Sequence, residues 1–334
     1  MDDPLRHHGD VEAREAALDF AVNVYDGPRP PWLDDALHAS IDAAGAYPSA
    51  ERARASAARH HGRPRDGVLV TAGAAEAFTL LARLRPWRRP VVVHPQFTEP
   101  HAALEQAGHR VTSVVLPPPY TLDPGLVPDD ADLVVIGNPT NPTGVLHPAD
   151  EIRSLLRPGR VVVVDEAFMD CVPGETESLA GVRLPGLVVI RSLTKHWGIP
   201  GIRAGYLVGD AMVVAGLALN QTPWSVGTTA AAAVEACTSL QAADEAHRRA
   251  EEISDRREHL EKGLADLGID FLPSAASFVL ARTGPGVREA LREQGIAVRR
   301  ADTFPGLDPS WVRIAVRATE QTDRLFAALS PLRS

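Results

Sequence analysis

Five short runs of valine, isoleucine and leucine punctuate the chain, and each leads through a loop into sequence with helical spacing. They are Val68-Leu69-Val70, Val91-Val92-Val93, Leu133 to Ile136, Val161 to Val164 and Leu187 to Ile190. A strand with one wet face alternates apolar and polar residues, whereas runs as short and continuously apolar as these suit strands buried on both faces of a parallel sheet. The intervening helical segments, among them Glu76 to Leu84 and Pro100 to Ala107, supply the crossovers that parallel strands need. The expected fold is therefore α/β with a mostly parallel sheet. A length of 334 residues leaves room for a second, smaller unit.

That unit is expected after about residue 229, where the texture changes. Thr229 to Cys237 is alanine-rich, and Ala242 to Leu267 is strongly charged with apolar positions at helical spacing. Strand-like Ile269 to Leu272, Phe278 to Ala281 and Val312 to Val316 follow, with helices near Val287 to Gln294 and Glu320 to Leu329. Together they describe a small α+β unit.

A formal net charge of −9 argues against nucleic-acid or anionic-membrane partners, which call for a clustered positive surface. Arg83 to Arg89, and the set Arg248, Arg249, Arg256 and Arg257, read as solvated helix faces. Cys171 and Cys237 stand far apart without metal-ligand spacing, so neither a disulfide framework nor a metal site is expected. Met1 to His8 lacks the apolar centre of a secretion signal, and no apolar run is long enough to span a bilayer. The expectation is a cytoplasmic protein.

In an open parallel sheet ligands bind beyond the carboxyl ends of the strands, and there each run is followed by unusual chemistry. Asp165 comes directly after Val161 to Val164. A buried carboxylate needs a cationic partner such as a protonated ring nitrogen, although a helix-capping aspartate is the plainer reading of this residue alone. Leu187 to Ile190 leads into Arg191-Ser192-Leu193-Thr194-Lys195 and on to Arg203, a segment with two hydroxyls, two arginines, one lysine and no acid. Hydroxyls and a guanidinium suit a phosphate. A lysine among cations and apolar neighbours is pushed toward the neutral amine that can attack an aldehyde; a solvated loop is the alternative. Thr71-Ala72-Gly73-Ala74-Ala75 opens a helix with small residues, leaving backbone N–H groups for an anion or merely allowing close packing. Asn138-Pro139 and Asn141-Pro142 stiffen a loop able to present amide side chains or form an ordinary turn. Phe97 follows Val91 to Val93, where it can lie on an aromatic ring or belong to the core. Taken together, the five strand ends suit one aromatic aldehyde bearing a phosphate.

On these residues the chain resembles the fold-type I enzymes of the class I/II aminotransferase superfamily, which use pyridoxal 5′-phosphate (PLP). The resemblance runs from about Leu18 to the final helix. It is nearest to the group that contains histidinol-phosphate aminotransferase and the threonine-phosphate decarboxylase of cobalamin biosynthesis. It implies a seven-stranded-type sheet with helices on both faces in a large domain over 41–229, and a small domain built from 1–40 and 230–334. Lys195 would be the Schiff-base lysine and proton carrier, and Asp165 the partner of the ring nitrogen. Asn141 would meet the ring hydroxyl and Phe97 would stack on the ring. Ser192, Thr194, Arg203 and the N–H groups of Ala74 and Ala75 would hold the cofactor phosphate. Tyr47 would reach the cofactor phosphate of a neighbouring subunit, which implies a homodimer. Arg313, Arg299 and Asn23 would contact a small amino substrate, with the assignment of anions among Arg299, Arg300, Arg313 and Arg317 left open.

Phe168 stands where many aminotransferases carry tyrosine, and Cys171 where an aromatic is usual. Val24-Tyr25-Asp26-Gly27-Pro28 departs from the usual Asn-Pro step. The stretch Asp165 to Asp170 looks closer to the decarboxylase branch, so the leading expectation is decarboxylation of threonine phosphate. Aminotransfer from histidinol phosphate or an aromatic amino acid to 2-oxoglutarate is the alternative. A PLP-binding regulator would carry a helix-turn-helix unit, which is not expected at either end. A dinucleotide-dependent oxidoreductase would need a G-x-G-x-x-G turn that Thr71 to Ala75 does not provide.

Overall fold

The computed structural model of the chain describes residues 4–7 and 9–333. Twelve strands are assigned among the described residues: β1 (Leu18–Phe20), β2 (Val68–Thr71), β3 (Pro90–His94), β4 (Thr112–Val115), β5 (Leu133–Gly137), β6 (Val161–Asp165), β7 (Leu187–Ser192), β8 (Gly205–Gly209), β9 (Asp270–Leu272), β10 (Phe278–Arg282), β11 (Ile296–Arg300) and β12 (Trp311–Ala315). They form a seven-stranded sheet in the order β2-β8-β7-β6-β5-β3-β4 and a five-stranded sheet in the order β1-β11-β12-β10-β9. In the large sheet only β8 runs antiparallel to its neighbours.

The continuous apolar runs are explained by two cores, one on each face of this sheet. Val162 and Val164 pack into a cluster with Trp197 and Tyr206. Val161 and Val163 pack into another with Phe78 and Leu104. Alternate side chains of a strand point to opposite faces, so both sets must be apolar.

β4 and β8 were not expected. β8 hides because glycines, poor strand formers, bound it. A Cβ on Gly205 would lie 2.9 Å from the Gly73 Cα, and one on Gly209 would lie 2.6 Å from the Leu187 carbonyl oxygen. Close backbone approach, rather than strand propensity, selects the residue at each end. The helices Pro31–Asp42 and Glu51–His60 were also not anticipated.

The small sheet joins both ends of the chain, since β1 pairs in parallel with β11. Its core gathers Phe20, Ile314, Leu325 and, from the long helix Leu240–Asp266, Leu260 and Leu264. The helix Pro31–Asp42 departs from the expected division of the chain at residue 40. Its Leu33 and Leu37 sit in a core of the large sheet, where it packs on the helix Thr228–Cys237. No helix among the described residues is long and apolar enough to cross a membrane.

One expectation about charge is corrected here. Arg248 is half exposed and paired with Glu245 and Glu252, as a solvated face requires. Arg249 and Arg257 of the same set are buried, because the long helix turns that side toward the protein interior.

Candidate active site

Parallel strands β5, β6 and β7 end on one rim, where Asp165 and Ser192, the last residues of β6 and β7, line a cavity of about 620 Å³. The segment after β7 carries Lys195. Its Nζ donates to Thr194 Oγ1 at 3.1 Å, and that hydroxyl lies 2.8 Å from Ser192 Oγ. Burial, reinforced by the Arg203 guanidinium, lowers the lysine to about 8 although Asp165 acts in the opposite sense. Near neutrality a useful fraction of the amine is therefore unprotonated.

Arg203 adopts a left-handed backbone conformation (φ 60°) and donates to the Pro200 carbonyl at 2.9 Å. Gly73, with φ 75°, lets this guanidinium approach the start of the helix Gly73–Arg83; a Cβ there would lie 2.9 Å from Arg203 Nη2. Ala74 and Ala75 occupy the first turn, whose N–H groups have no partner inside the helix, and both line the cavity. Two hydroxyls, a guanidinium and free helix N–H groups thus gather at one end, the donor set that a phosphate dianion takes.

Asp165 ends β6 on the cavity wall. It accepts from the Ala167 N–H at 3.1 Å in a local turn and caps no helix, since the next short helix, Met169–Cys171, begins after Phe168. Burial raises its carboxyl to about 6, against the pull of Lys195. A carboxylate held at this cost and facing a cavity suits a cationic ring nitrogen. Asn141 also faces the cavity, and its Oδ1 accepts from Arg313 Nη1 at 2.6 Å. Asn138 of the preceding Asn-Pro step is structural: its Oδ1 accepts from the His147 N–H at 2.8 Å. Phe97 lines the cavity, its ring 6.3 Å from that of Phe78. A phosphate cradle at one end, a buried carboxylate and an aromatic wall fit PLP.

On the substrate side Arg313, from β12, donates to Asn141 and to the Ala21 carbonyl, the latter at 2.6 Å. Among the described residues its buried Nε has no hydrogen-bond partner, and neither do the amide oxygen and nitrogen of Asn23. The chain turns after β1 because Asp19 Oδ1 accepts from the N–H groups of Ala21 and Val22. Arg317 then holds the carbonyls of Asp19, Val22 and Val24. This wrapping places Asn23 on the cavity.

Several expected contacts are not found there. Arg299 does not line the cavity; it donates to the carbonyls of His7 and Arg300 and to Thr303 Oγ1, which occupies its fork on the protein itself. Arg300 pairs with Asp302, and Arg317 is spent on the N-terminal segment. Of the four arginines left open, Arg313 alone faces the cavity. Tyr47 lies outside it, exposed and stacked on Trp224 with ring centroids 4.5 Å apart.

Arg191 is likewise no phosphate ligand. Adjacent strand residues point oppositely, and its guanidinium enters a buried knot with Glu166, Asp170 and Glu175. Burial pushes Glu166 up to about 7 despite that cation. The knot ties the loop after Asp165 to the strand that delivers Ser192. Breaking such a buried cluster from one side costs about 3–5 kcal/mol.

Gly9, Asp10 and Val24 also line the cavity. Sequence reasoning missed Gly9 and Asp10 because the short helix Gly9–Ala13 carries no motif. It is held by the buried Glu12, which accepts from Arg288 at 2.7 Å, a pairing of residues far apart along the chain.

Residues 15–329 match the family described as aminotransferase class I and II. A histidinol-phosphate aminotransferase of Mycobacterium tuberculosis is 47% identical over 317 residues, covering 93% of this chain and 87% of the relative. The threonine-phosphate decarboxylase of Salmonella typhimurium is 32% identical over 335 residues, covering 93% and 90%. Among solved structures, the histidinol-phosphate aminotransferase from Clostridium acetobutylicum superposes with a TM-score of 0.88 at 25% identity, covering 95% of this chain and 99% of that one.

Proposed function

This chain belongs to the aminotransferase class I and II family, whose cofactor is PLP, and from that premise we propose that it transfers the amino group of histidinol phosphate to 2-oxoglutarate. The observation that carries this reading is the 47% identity to a histidinol-phosphate aminotransferase over nearly the whole chain. The decarboxylase reading favoured by the stretch Asp165 to Asp170 has weaker support, a relative at 32%. With Arg203 placed for the cofactor phosphate, one further guanidinium, Arg313, faces the cavity.

Bound PLP supplies an aldehyde for the amine to attack and a ring that draws electrons from the substrate's Cα. Ser192, Thr194, Arg203 and the N–H groups of Ala74 and Ala75 would hold its phosphate, and Phe97 would pack on its ring. Asp165 would keep a proton on the ring nitrogen, while Asn141, steadied by Arg313, would meet the ring hydroxyl. The Lys195 amine would carry the proton at the substrate's Cα. Arg313 and the amide of Asn23 would take the substrate's polar end. Donor and acceptor occupy the site in turn, so the same groups serve a phosphate and then a dicarboxylate.

Incubation with histidinol phosphate and 2-oxoglutarate is expected to yield glutamate. Release of CO₂ from threonine phosphate, with no glutamate from histidinol phosphate, would reject this reading for the decarboxylase.

A cytoplasmic homodimer completes the proposal. Met212, Leu219, Trp224 and Tyr47 are each more than half exposed. A second copy would cover such an apolar surface and bring Tyr47 to the neighbouring cofactor. Sedimentation equilibrium is expected to give twice the chain mass; a particle of single-chain mass would exclude the dimer.

A further inference from the structure

We propose that Arg249, on the long helix Leu240–Asp266, is a positioning residue that sets the backbone of the lysine segment and so aims the Lys195 amine. Arg249 belongs to the arginine-rich stretch read from sequence as solvated, yet its exposure is 0%. One arm of the guanidinium, Nη1, donates to the carbonyl of His196, next to Lys195, at 2.9 Å. The other, Nη2, donates to the carbonyl of Pro28 at 2.8 Å. Nε donates to Glu245 at 2.7 Å, which balances the buried charge from within the same helix. The guanidinium also stacks on Tyr25, 4.3 Å from its centroid, and lies 5.2 Å from that of Trp197.

Three separate pieces of chain therefore meet on one side chain: the lysine segment, the N-terminal stretch at 25–28 and the long helix. The N-terminal stretch closes the circuit, because the Tyr25 N–H donates to the carbonyl of Lys195 itself at 3.0 Å. The two successive peptide groups that follow the lysine side chain are thus held from outside the large sheet, the second directly by Arg249 and the first through the stretch that Arg249 clamps. A planar fork with donors in fixed directions can serve two carbonyls at once; an ammonium is a point donor and cannot reproduce that span. Displacing a reacting group by about 1 Å costs about 10²-fold in rate, so a residue that fixes this peptide affects turnover without touching substrate.

This inference rests on Lys195 being the cofactor's lysine, and the test separates the two. The PLP-loaded enzyme is compared with Arg249→Lys, which keeps the charge opposite Glu245, and with Glu245→Gln, whose amide oxygen still accepts from Nε. Far-ultraviolet circular dichroism checks the fold of each. The readouts are the visible circular-dichroism band of the bound cofactor and the split between kcat and KM. Arg249→Lys is expected to lose at least about half of the visible band and to lower kcat about 10²-fold, with KM changed by less than about threefold. Glu245→Gln should match the parent in both. A folded Arg249→Lys protein with parental band and kcat would overturn the proposal, and so would an equal loss in Glu245→Gln, which would make the ion pair rather than the fork responsible. If borohydride fixes no cofactor on Lys195 of the parent, the lysine assignment falls and this inference with it. Fixation in the parent with an unaltered Arg249→Lys enzyme overturns this inference alone.

Discussion

Replacing Lys195 with alanine is expected to lower turnover by about 10⁴-fold or more, the upper range for loss of a proton-transfer group. Its hydrogen-bond neighbour Thr194 offers a hydroxyl, which is not a base near neutrality. Asp165 is a carboxylate assigned to the ring nitrogen. The amine itself is prepared by its surroundings, since burial and Arg203 bring it to about 8. Its capture of PLP by the stripped protein should accordingly quicken as pH rises toward and past 8, where the neutral form becomes dominant. Stopped-flow measurement of the half-reaction, together with mass analysis of the borohydride-reduced protein, checks the variant. Parental rates in Lys195→Ala would end the assignment.

Asp165→Asn is expected to act in opposite directions on activity and stability. With the cofactor bound, loss of the carboxylate should cost about 10³-fold in kcat, comparable to removal of one preorganised electrostatic group. Without cofactor the same carboxylate is a burden, because burial raises it from an ordinary value of 3.8 to about 6. A group whose folded-state pKa is raised stabilises the fold when protonated, and that contribution is lost as pH rises through about 6. The stripped Asp165→Asn protein should therefore be the more stable of the two at pH 8, by on the order of 3 kcal/mol. The difference should shrink as pH falls below about 6 and vanish below about 4. Melting curves of the stripped proteins at pH 8 and pH 4 measure this directly. An Asp165→Asn protein no more stable than the parent at pH 8 would show that the buried carboxylate is compensated.

The cofactor end of the site was legible because its residues stand at the ends of strands whose burial writes itself as unbroken β-branched runs. Asp165, Ser192, Thr194 and Lys195 each follow such a run within a few positions, and the structure brings them to one cavity. Where close packing rather than periodicity decides, the sequence was mute. β8 is bracketed by glycines that permit contact with Gly73 and Leu187, and glycine ordinarily argues against a strand. Arginines were the hardest residues to place. Charge pattern treats Arg249, Arg191 and Arg299 as surface or ligand-seeking groups, yet each is buried and spends its donors on partners distant in the chain. A guanidinium carries five donors and can satisfy backbone carbonyls anywhere it is enclosed, and spacing along the chain does not reveal which ones.

The pairing of β1 with β11 has a consequence for how the protein is made. A ribosome that has released the chain through β8 has supplied every strand of the large sheet, together with Lys195. The wall formed by Ala21 and Asn23 still lacks Arg313 and Arg317, which hold it in place. Nascent protein can therefore fold its larger sheet early, as amino-terminal units generally do, but a competent enzyme must wait until its last strand has emerged. A stalled or prematurely terminated product would carry the lysine and lack the enclosure that makes it useful.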